Sequence, residues 1–374
     1  MSTLSTEQVL QVLRTVNDPD LKRDLVSLGM IRDLEVAGGR VSFRVVLTTP
    51  ACPMKKVMED ECRSKVSALP GVTEVKIKMD AEVRRPQGAG AGAGATPTSQ
   101  PIEGVEHIIA VSSGKGGVGK STVAVNLAVS LALEGARVGI MDADIYGPNL
   151  PTMLGVTEDP LLEKDPVKGD IFLPPTAHGL KVMSMGFLVK GDQPMAWRGP
   201  MLHSVVSQFC HKVNWGKLDY LIVDMPPGTG DVQLSLSQVV PVTGAVMVTT
   251  PQEVSMQDVR KALAMFDKVR IPLLGIVENM SYFEVPGTSE RHYLFGQDGG
   301  KTLAAKYRTQ LLAQIPIVQK VREGGDLGRP IVIAEPASPI AQQFRSLARS
   351  VAQQVSIQQA QAGQSEPIQI GRFT

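Results

Sequence analysis

Two hydrophobic rhythms run along the chain. Over residues 1–83 the apolar positions recur at helical or alternating spacing. Val9, Val12, Leu13 and Val16 follow Ser5-Thr6-Glu7-Gln8, a sequence that predicts a capping box at a helix start. Val41, Phe43, Val45 and Leu47 alternate with Ser42 and Arg44, which predicts a half-buried strand. Met54, Met58, Cys62 and Val66 stand four apart with Val57 beside them, predicting one helical face between Pro53 and Leu69. A last strand is predicted where Val75, Ile77 and Met79 alternate with Glu74, Lys76 and Lys78. Together these make a small α/β domain with a strand-to-helix turn at Thr48-Thr49-Pro50-Ala51-Cys52-Pro53.

Beyond residue 105 the rhythm changes to continuous apolar runs: HIIAVSS, RVGIMDAD, LDYLIVDMP, AVMVTTP and LLGIVENM. Strands apolar on both faces, separated by helical or turn-rich stretches, predict a mostly parallel, doubly wound sheet covered by helices. Ligands are then expected at the carboxyl ends of its strands. Between the two parts lies RRPQGAGAGAGATPTSQPIEG, too poor in large apolar groups to offset its chain entropy, so residues 84–105 are expected to be a flexible linker. The organisation expected is thus a small domain over 1–83, a larger doubly wound α/β domain over 106–355 and, from its uncharged, Gly- and Pro-broken text, a disordered tail over 356–374.

Composition narrows the function by exclusion. In 374 residues, 38 Lys and Arg balance 37 Asp and Glu, so a net charge of +1 gives no general attraction to nucleic acid or anionic membrane. No apolar run reaches the roughly 18–20 residues that span a bilayer. The opening residues carry acids and lack an export pattern. Three cysteines, Cys52, Cys62 and Cys210, are too few for a disulfide scaffold, and a reducing, cytoplasmic setting is expected.

The chemistry concentrates after the first apolar run of the larger part. Gly114-Lys115-Gly116-Gly117-Val118-Gly119-Lys120-Ser121-Thr122 satisfies the phosphate-loop pattern between a strand and a helix. Its glycines let backbone N–H groups turn toward phosphate oxygens at a helix N-terminus. Lys120 is placed to reach the β- and γ-phosphates of ATP, and the Ser121 hydroxyl to ligate Mg²⁺. Asp224 ends an apolar run and is expected to hold the metal through water. Asp142 and Asp144 end another run, two apart and on one side of an extended chain. Asp231 lies in the loop Pro226-Pro227-Gly228-Thr229-Gly230-Asp231, and all four carboxylates are expected to converge on the edge that carries the phosphate loop.

The second lysine, Lys115, makes KGGVGKST resemble the deviant phosphate loop of the dimeric ATPases that include the septum-site and plasmid-partition proteins and the nitrogenase iron protein. That resemblance implies an ATP-gated homodimer in which Lys115 reaches the partner's nucleotide. Asp142-Ala143-Asp144-Ile145-Tyr146-Gly147-Pro148-Asn149, Trp197-Arg198-Gly199-Pro200-Met201, Asp224-Met225-Pro226-Pro227-Gly228-Thr229-Gly230-Asp231 and Glu278-Asn279-Met280-Ser281 narrow the likeness to the Mrp/ApbC family of ATP-dependent iron–sulfur cluster carriers. The small domain is similar to the iron–sulfur-assembly domain fused to many of them, through Asp18-Pro19-Asp20-Leu21, Ser27-Leu28-Gly29-Met30-Ile31 and Pro50-Ala51-Cys52-Pro53. The resemblance implies that Asp144 orients the attacking water in a first switch, that Asp231 sits in a second, and that Asn279 contacts the adenine. It also implies a Mg²⁺-dependent ATPase coupled to cluster transfer, with apo iron–sulfur proteins and cluster scaffold proteins as partners.

One departure stands out. Many family members carry a Cys-x-x-Cys a few residues after the Asn-Met-Ser element. Here Val285 and Thr288 occupy those positions, and neither replaces a soft thiolate on iron. Cys52 is the best remaining thiol for iron–sulfur contact. Pro53 suits a first helical position, and the helix end with Lys55 and Lys56 is expected to lower its pKa. Cys62 reads as core, and Cys210 with its neighbour His211 points to different helix faces. The leading reading is an ATP-driven cluster carrier. A positioning ATPase and an ATP-gated assembly scaffold that binds no cluster are the alternatives.

Overall fold

The apolar runs of the larger part become the strands of one eight-stranded sheet. A computed structural model of the chain describes residues 4–83, 99–145, 147–166, 169–188 and 199–362. The chain divides into two compact units, Met1–Gln87 with Ala352–Thr374, and Gly88–Val351. In the larger unit the strand order, edge to edge, is Thr176–Ala177, Leu180–Ser184, Val138–Asp142, Leu218–Asp224, Val105–Ser113, Gly244–Thr249, Leu273–Asn279 and Leu311–Ile315. Every neighbouring pair is parallel except the short one at the Thr176 edge. The four strands Val138–Asp142, Leu218–Asp224, Gly244–Thr249 and Val105–Ser113 are buried almost throughout, as helices on both faces require.

Order and burial together position the site. From Val105–Ser113 the chain passes through the helix Lys120–Leu133 into Val138–Asp142, two places away, while Gly244–Thr249 pairs on the opposite side. The direction of winding therefore reverses beside Val105–Ser113, and the crevice at its carboxyl end is where such sheets take ligands. Every residue from Val123 to Leu131 is buried, so this helix carries no polar stripe. Parallel register sets Asp224 directly beside Asp142, on adjacent strands about 4.8 Å apart.

In the smaller unit the predicted elements form in the predicted order. Ser5 and Gln8 make the reciprocal capping box of the helix Thr6–Leu13, which buries Val9 and Leu13. Arg40–Leu47 buries alternate residues between an antiparallel neighbour, Ile31–Ala37, and a parallel one, Glu74–Ala81. The helix Lys55–Ser67 buries Met58, Cys62 and Val66 in the core, whereas Val57, expected beside them, is 51% exposed. Asp18 folds its carboxylate onto the amides of Asp20 and Leu21 at 2.8 and 3.0 Å, an Asx turn that explains the Asp-Pro-Asp-Leu text.

Two boundary expectations change. Residues 84–98 of the expected linker lie outside the described residues, but its end is not linker: Ile102 is buried, the Gln100 amide bonds the Val239 carbonyl, and the central strand starts at Val105. The expected disordered tail also starts too early. The helix Pro339–Ala362 runs through residues 356–362, and its last turns count with the smaller unit. There the Ser356 hydroxyl accepts from Thr48, and Gln353 donates to Asp20. Gln, Ala and Ser tolerate a helix when one face is covered, which composition alone did not reveal. Residues 363–374, Tyr146, Trp197 and Arg198 lie outside the described residues.

Candidate functional site

The carboxyl end of Val105–Ser113 opens into the phosphate loop, which begins the helix Lys120–Leu133. A cavity of about 720 Å³ rises from it, within the range of small-molecule sites. Lys115, Gly116, Gly117, Gly119, Lys120, Ser121 and Thr122 form its floor. Gly114 lies beneath, against the backbone of Asp258 and Val259. Gly119 caps the helix at φ +79°, and a Cβ there would sit 2.2 Å from the Asn279 amide nitrogen. That nitrogen donates to the Val118 carbonyl at 2.8 Å, so Asn279 braces the loop while lining the cavity.

Charge is concentrated behind the floor. Lys120, 6% exposed, donates to Asp224 at 2.7 Å and stands 3.6 Å from Asp144. It also lies 3.3 Å from the Ser121 hydroxyl. Burial pushes the Asp224 carboxyl up from the usual range, with Lys120 beside it pulling back and the Asp144 charge adding to the rise. Asp142, fully buried, is pushed up to about 7, first by burial and then by Asp224 in the next strand. Its carboxylate accepts from the amides of Asp144 and Leu150 and from the Ser184 hydroxyl. Asp142 therefore shapes the loop that presents Asp144, Gly147 and Asn149 to the cavity. Ser121 and Asp224 offer hard oxygen donors side by side, the set Mg²⁺ takes.

Three of the four expected carboxylates converge here. The fourth, Asp231, is solvent-exposed at the start of the helix Asp231–Val239 and does not line the cavity. Lys115 lines it and donates to Gln252 at 3.3 Å. Sequence reasoning missed several participants. Gln233 clamps the Pro226–Gly228 loop by donating to both its carbonyls at 3.0 Å. Pro316, Ile317 and Val318, after the strand Leu311–Ile315, form the wall opposite the phosphate loop with Val321. Only the position of that short apolar text after a strand could have signalled it.

Thiol chemistry is sparse. Val285 and Thr288 sit on the hairpin joining Phe283–Glu284 to Arg291–His292, where the Thr288 hydroxyl donates to the Val285 carbonyl at 3.1 Å. No group of three or more His, Cys, Asp or Glu suited to a metal occurs among the described residues. Cys52 departs from expectation. The helix begins at Lys55 with Met54 as its cap, so Cys52 stands before the helix end, and burial pushes its thiol up to about 11. Asp20 and Asp18 add to that rise, while the Met54 and Lys55 amides oppose it. Cys62 and Cys210 are buried, each pushed up to about 12. Alkylation of Cys52 by iodoacetamide at pH 8 is accordingly expected to run about two orders of magnitude slower than for an unhindered thiol. Its rate should climb until the pH nears 11. Fast labelling with an inflection near neutrality would contradict this.

A phosphate loop at the reversal point of a mostly parallel sheet, backed by Lys120 and strand-end aspartates, defines a P-loop nucleotide-binding protein. Residues 104–352 match the family described as NUBPL iron-transfer P-loop NTPase, and residues 6–77 match iron–sulfur cluster assembly protein. The chain belongs to this family of iron–sulfur P-loop NTPases. It is 51% identical over 355 residues to an iron–sulfur cluster carrier protein of Synechocystis sp., covering 95% of this chain and 99% of that one. It is 48% identical over 351 residues to the protein of the same name from Deinococcus radiodurans, covering 94% and 96%. Among solved structures it is similar to a nucleotide-binding protein of Archaeoglobus fulgidus in complex with ADP. The TM-score is 0.55 at 39% identity, over 65% of this chain and 93% of that one. Among the described residues no helix is long and apolar enough to cross a membrane.

Proposed function

We propose that this chain is an ATP-hydrolysing carrier that takes up an iron–sulfur cluster, holds it transiently and passes it to apoproteins. The observation that supports this best is the phosphate-loop cavity, with Lys120 between Asp224 and Asp144, in a chain that matches named cluster carriers along almost its whole length. ATP lies with its β- and γ-phosphates on the loop amides and Lys120, and its base toward Asn279 and the Ile317 wall. Ser121 and Asp224 would hold Mg²⁺, which would neutralise charge on the phosphates. Asp144, at the edge of the cavity, orients the attacking water, so positioning and electrostatics carry the rate. By the likeness to its relatives Asp231 sits in a second switch, and Lys115 reaches across a homodimer. The working compartment is the cytoplasm, and a net charge of +1 gives no general attraction to nucleic acid or anionic membrane.

The hairpin bearing Val285 and Thr288 favours holding the cargo elsewhere, with Cys52 the thiol least enclosed among the three. An assembly scaffold that gates partners without binding a cluster is the second reading, and the same hairpin supports it. Anaerobic incubation with iron and sulfide separates them. The carrier is expected to retain both in stoichiometric amount and to restore an apo-ferredoxin, and Cys52→Ser to lower retention. A colourless protein that restores nothing would overturn the carrier reading.

A further inference from the structure

Glu278 is fully buried on the strand Leu273–Asn279, and nothing in nucleotide binding as described uses it. We propose that Glu278 is a positioning residue that couples the phosphate loop to the hairpin Phe283–His292. This rests on the nucleotide-binding reading above. One carboxylate gathers three neutral donors. Its Oε1 accepts from the Ser281 hydroxyl at 2.5 Å and the Gln314 amide at 2.9 Å, and its Oε2 accepts from the Gly300 N–H at 2.5 Å. Gly300 lies in the first turn of the helix Gly299–Lys306, where a carboxylate is favoured. A Cβ at Gly300 would stand 2.8 Å from that of Glu278, so the approach needs glycine.

Each arm leads to a different part of the site. Asn279, the next residue, bonds Val118 and abuts Gly119 in the phosphate loop. Met280 follows at φ +53°, a conformation a side chain adopts at some cost, and it lines the cavity. Ser281 is fixed twice, by its hydroxyl on Glu278 and by its amide on the Ile315 carbonyl. Tyr282 then accepts from the Ile317 amide at 2.7 Å and carries the Arg291 guanidinium 4.3 Å from its ring centre. Arg291–His292 is the second strand of the hairpin. Gln314 precedes Ile315–Val318, the wall opposite the phosphate loop. A shift of Asn279 when phosphate fills the loop thus meets the strained turn at Met280. Because Glu278 is sealed from water, no solvent molecule takes over a broken bond, and the displacement passes to Ser281 and the hairpin. By linkage, whatever binds the hairpin acts back on the nucleotide to the same degree.

Amide hydrogen exchange of residues 282–293 in the full chain, with and without ADP, tests this. In wild type ADP is expected to slow exchange about five- to tenfold, as a coupling of ordinary strength gives. Ser281→Ala, which cuts only the arm to the hairpin, should bind ADP within about twofold of wild type yet lose the slowing. Glu278→Gln should weaken ADP about three- to tenfold and lose it too. Should Glu278→Gln fail to fold, Ser281→Ala decides alone. Slowing that persists in Ser281→Ala, or a wild type that binds ADP without any slowing, overturns the coupling. A wild type that binds no ADP is recognised in the titration itself, and it removes the nucleotide-binding reading together with the coupling.

Discussion

Lys120→Ala is expected to weaken ATP by about a hundredfold or more, since in the proposed pose the ammonium makes charge-assisted bonds to two phosphate groups. Two other cations line the cavity, but Lys115 lies against Gln252 in the single chain and Arg322 pairs with Asp326 and Glu323. The same change acts on the protein without nucleotide. Lys120 is the counter-ion of buried Asp224 and the near neighbour of Asp144, and removing one partner of a buried pair costs about 3–5 kcal/mol when the other stays charged. Here the Asp224 carboxyl, already raised by burial, can take up a proton, which limits the loss. Asp142 already sits at about 7 against an ordinary 3.8, so its folded form binds more protons than its unfolded form between those values. Stability from this group is present below the lower value and is lost as pH rises through the upper one. Without Lys120 the rise in Asp224 becomes larger, so the variant should melt nearest to wild type in acid and fall further behind as pH rises. Calorimetric titration and thermal melts across pH check both. Wild-type ATP affinity in the variant would contradict the site.

Asp144→Asn is expected to separate binding from hydrolysis. Asp144 lines the cavity 3.6 Å from Lys120, while Asp142 and Ser184 set the shape of its loop. ATP affinity should stay within about threefold, because the change removes a negative charge beside the phosphates without removing a donor. Phosphate release should fall about 10²–10⁴-fold, the usual contribution of a residue that orients and polarises a reacting water. Steady-state phosphate release beside an equilibrium titration measures the two. Unchanged hydrolysis would assign the water to another residue.

Much of this was legible in the text of the chain because backbone-dominated features have short signatures. The phosphate loop needs glycines at fixed spacing, and buried parallel strands need unbroken apolar runs, so both were read at their true places. The capping box of Ser5 and Gln8 is likewise local. What was not legible depends on residues far apart. Spacing sets Asp142 on the same side of the chain as Asp144, but Leu150 and Ser184 claim its carboxylate. Cys52 looked activated by a helix end, but burial, Asp18 and Asp20 reverse the sign. Asp231 looked convergent with the others, but its helix starts outside the cavity. Glu278 stands within the Glu-Asn-Met-Ser text, but its partners Gly300 and Gln314 lie 22 and 36 residues away.

The most direct test of the carrier account is delivery. Protein loaded anaerobically with iron and sulfide is mixed with an apo-ferredoxin, with Mg²⁺ and ATP, with ADP, or with no nucleotide, beside Lys120→Ala. The acceptor is expected to gain its cluster absorbance at a rate that ATP changes in wild type and leaves unchanged in the variant. Delivery at one rate under every condition, in both proteins, would contradict a nucleotide-driven carrier.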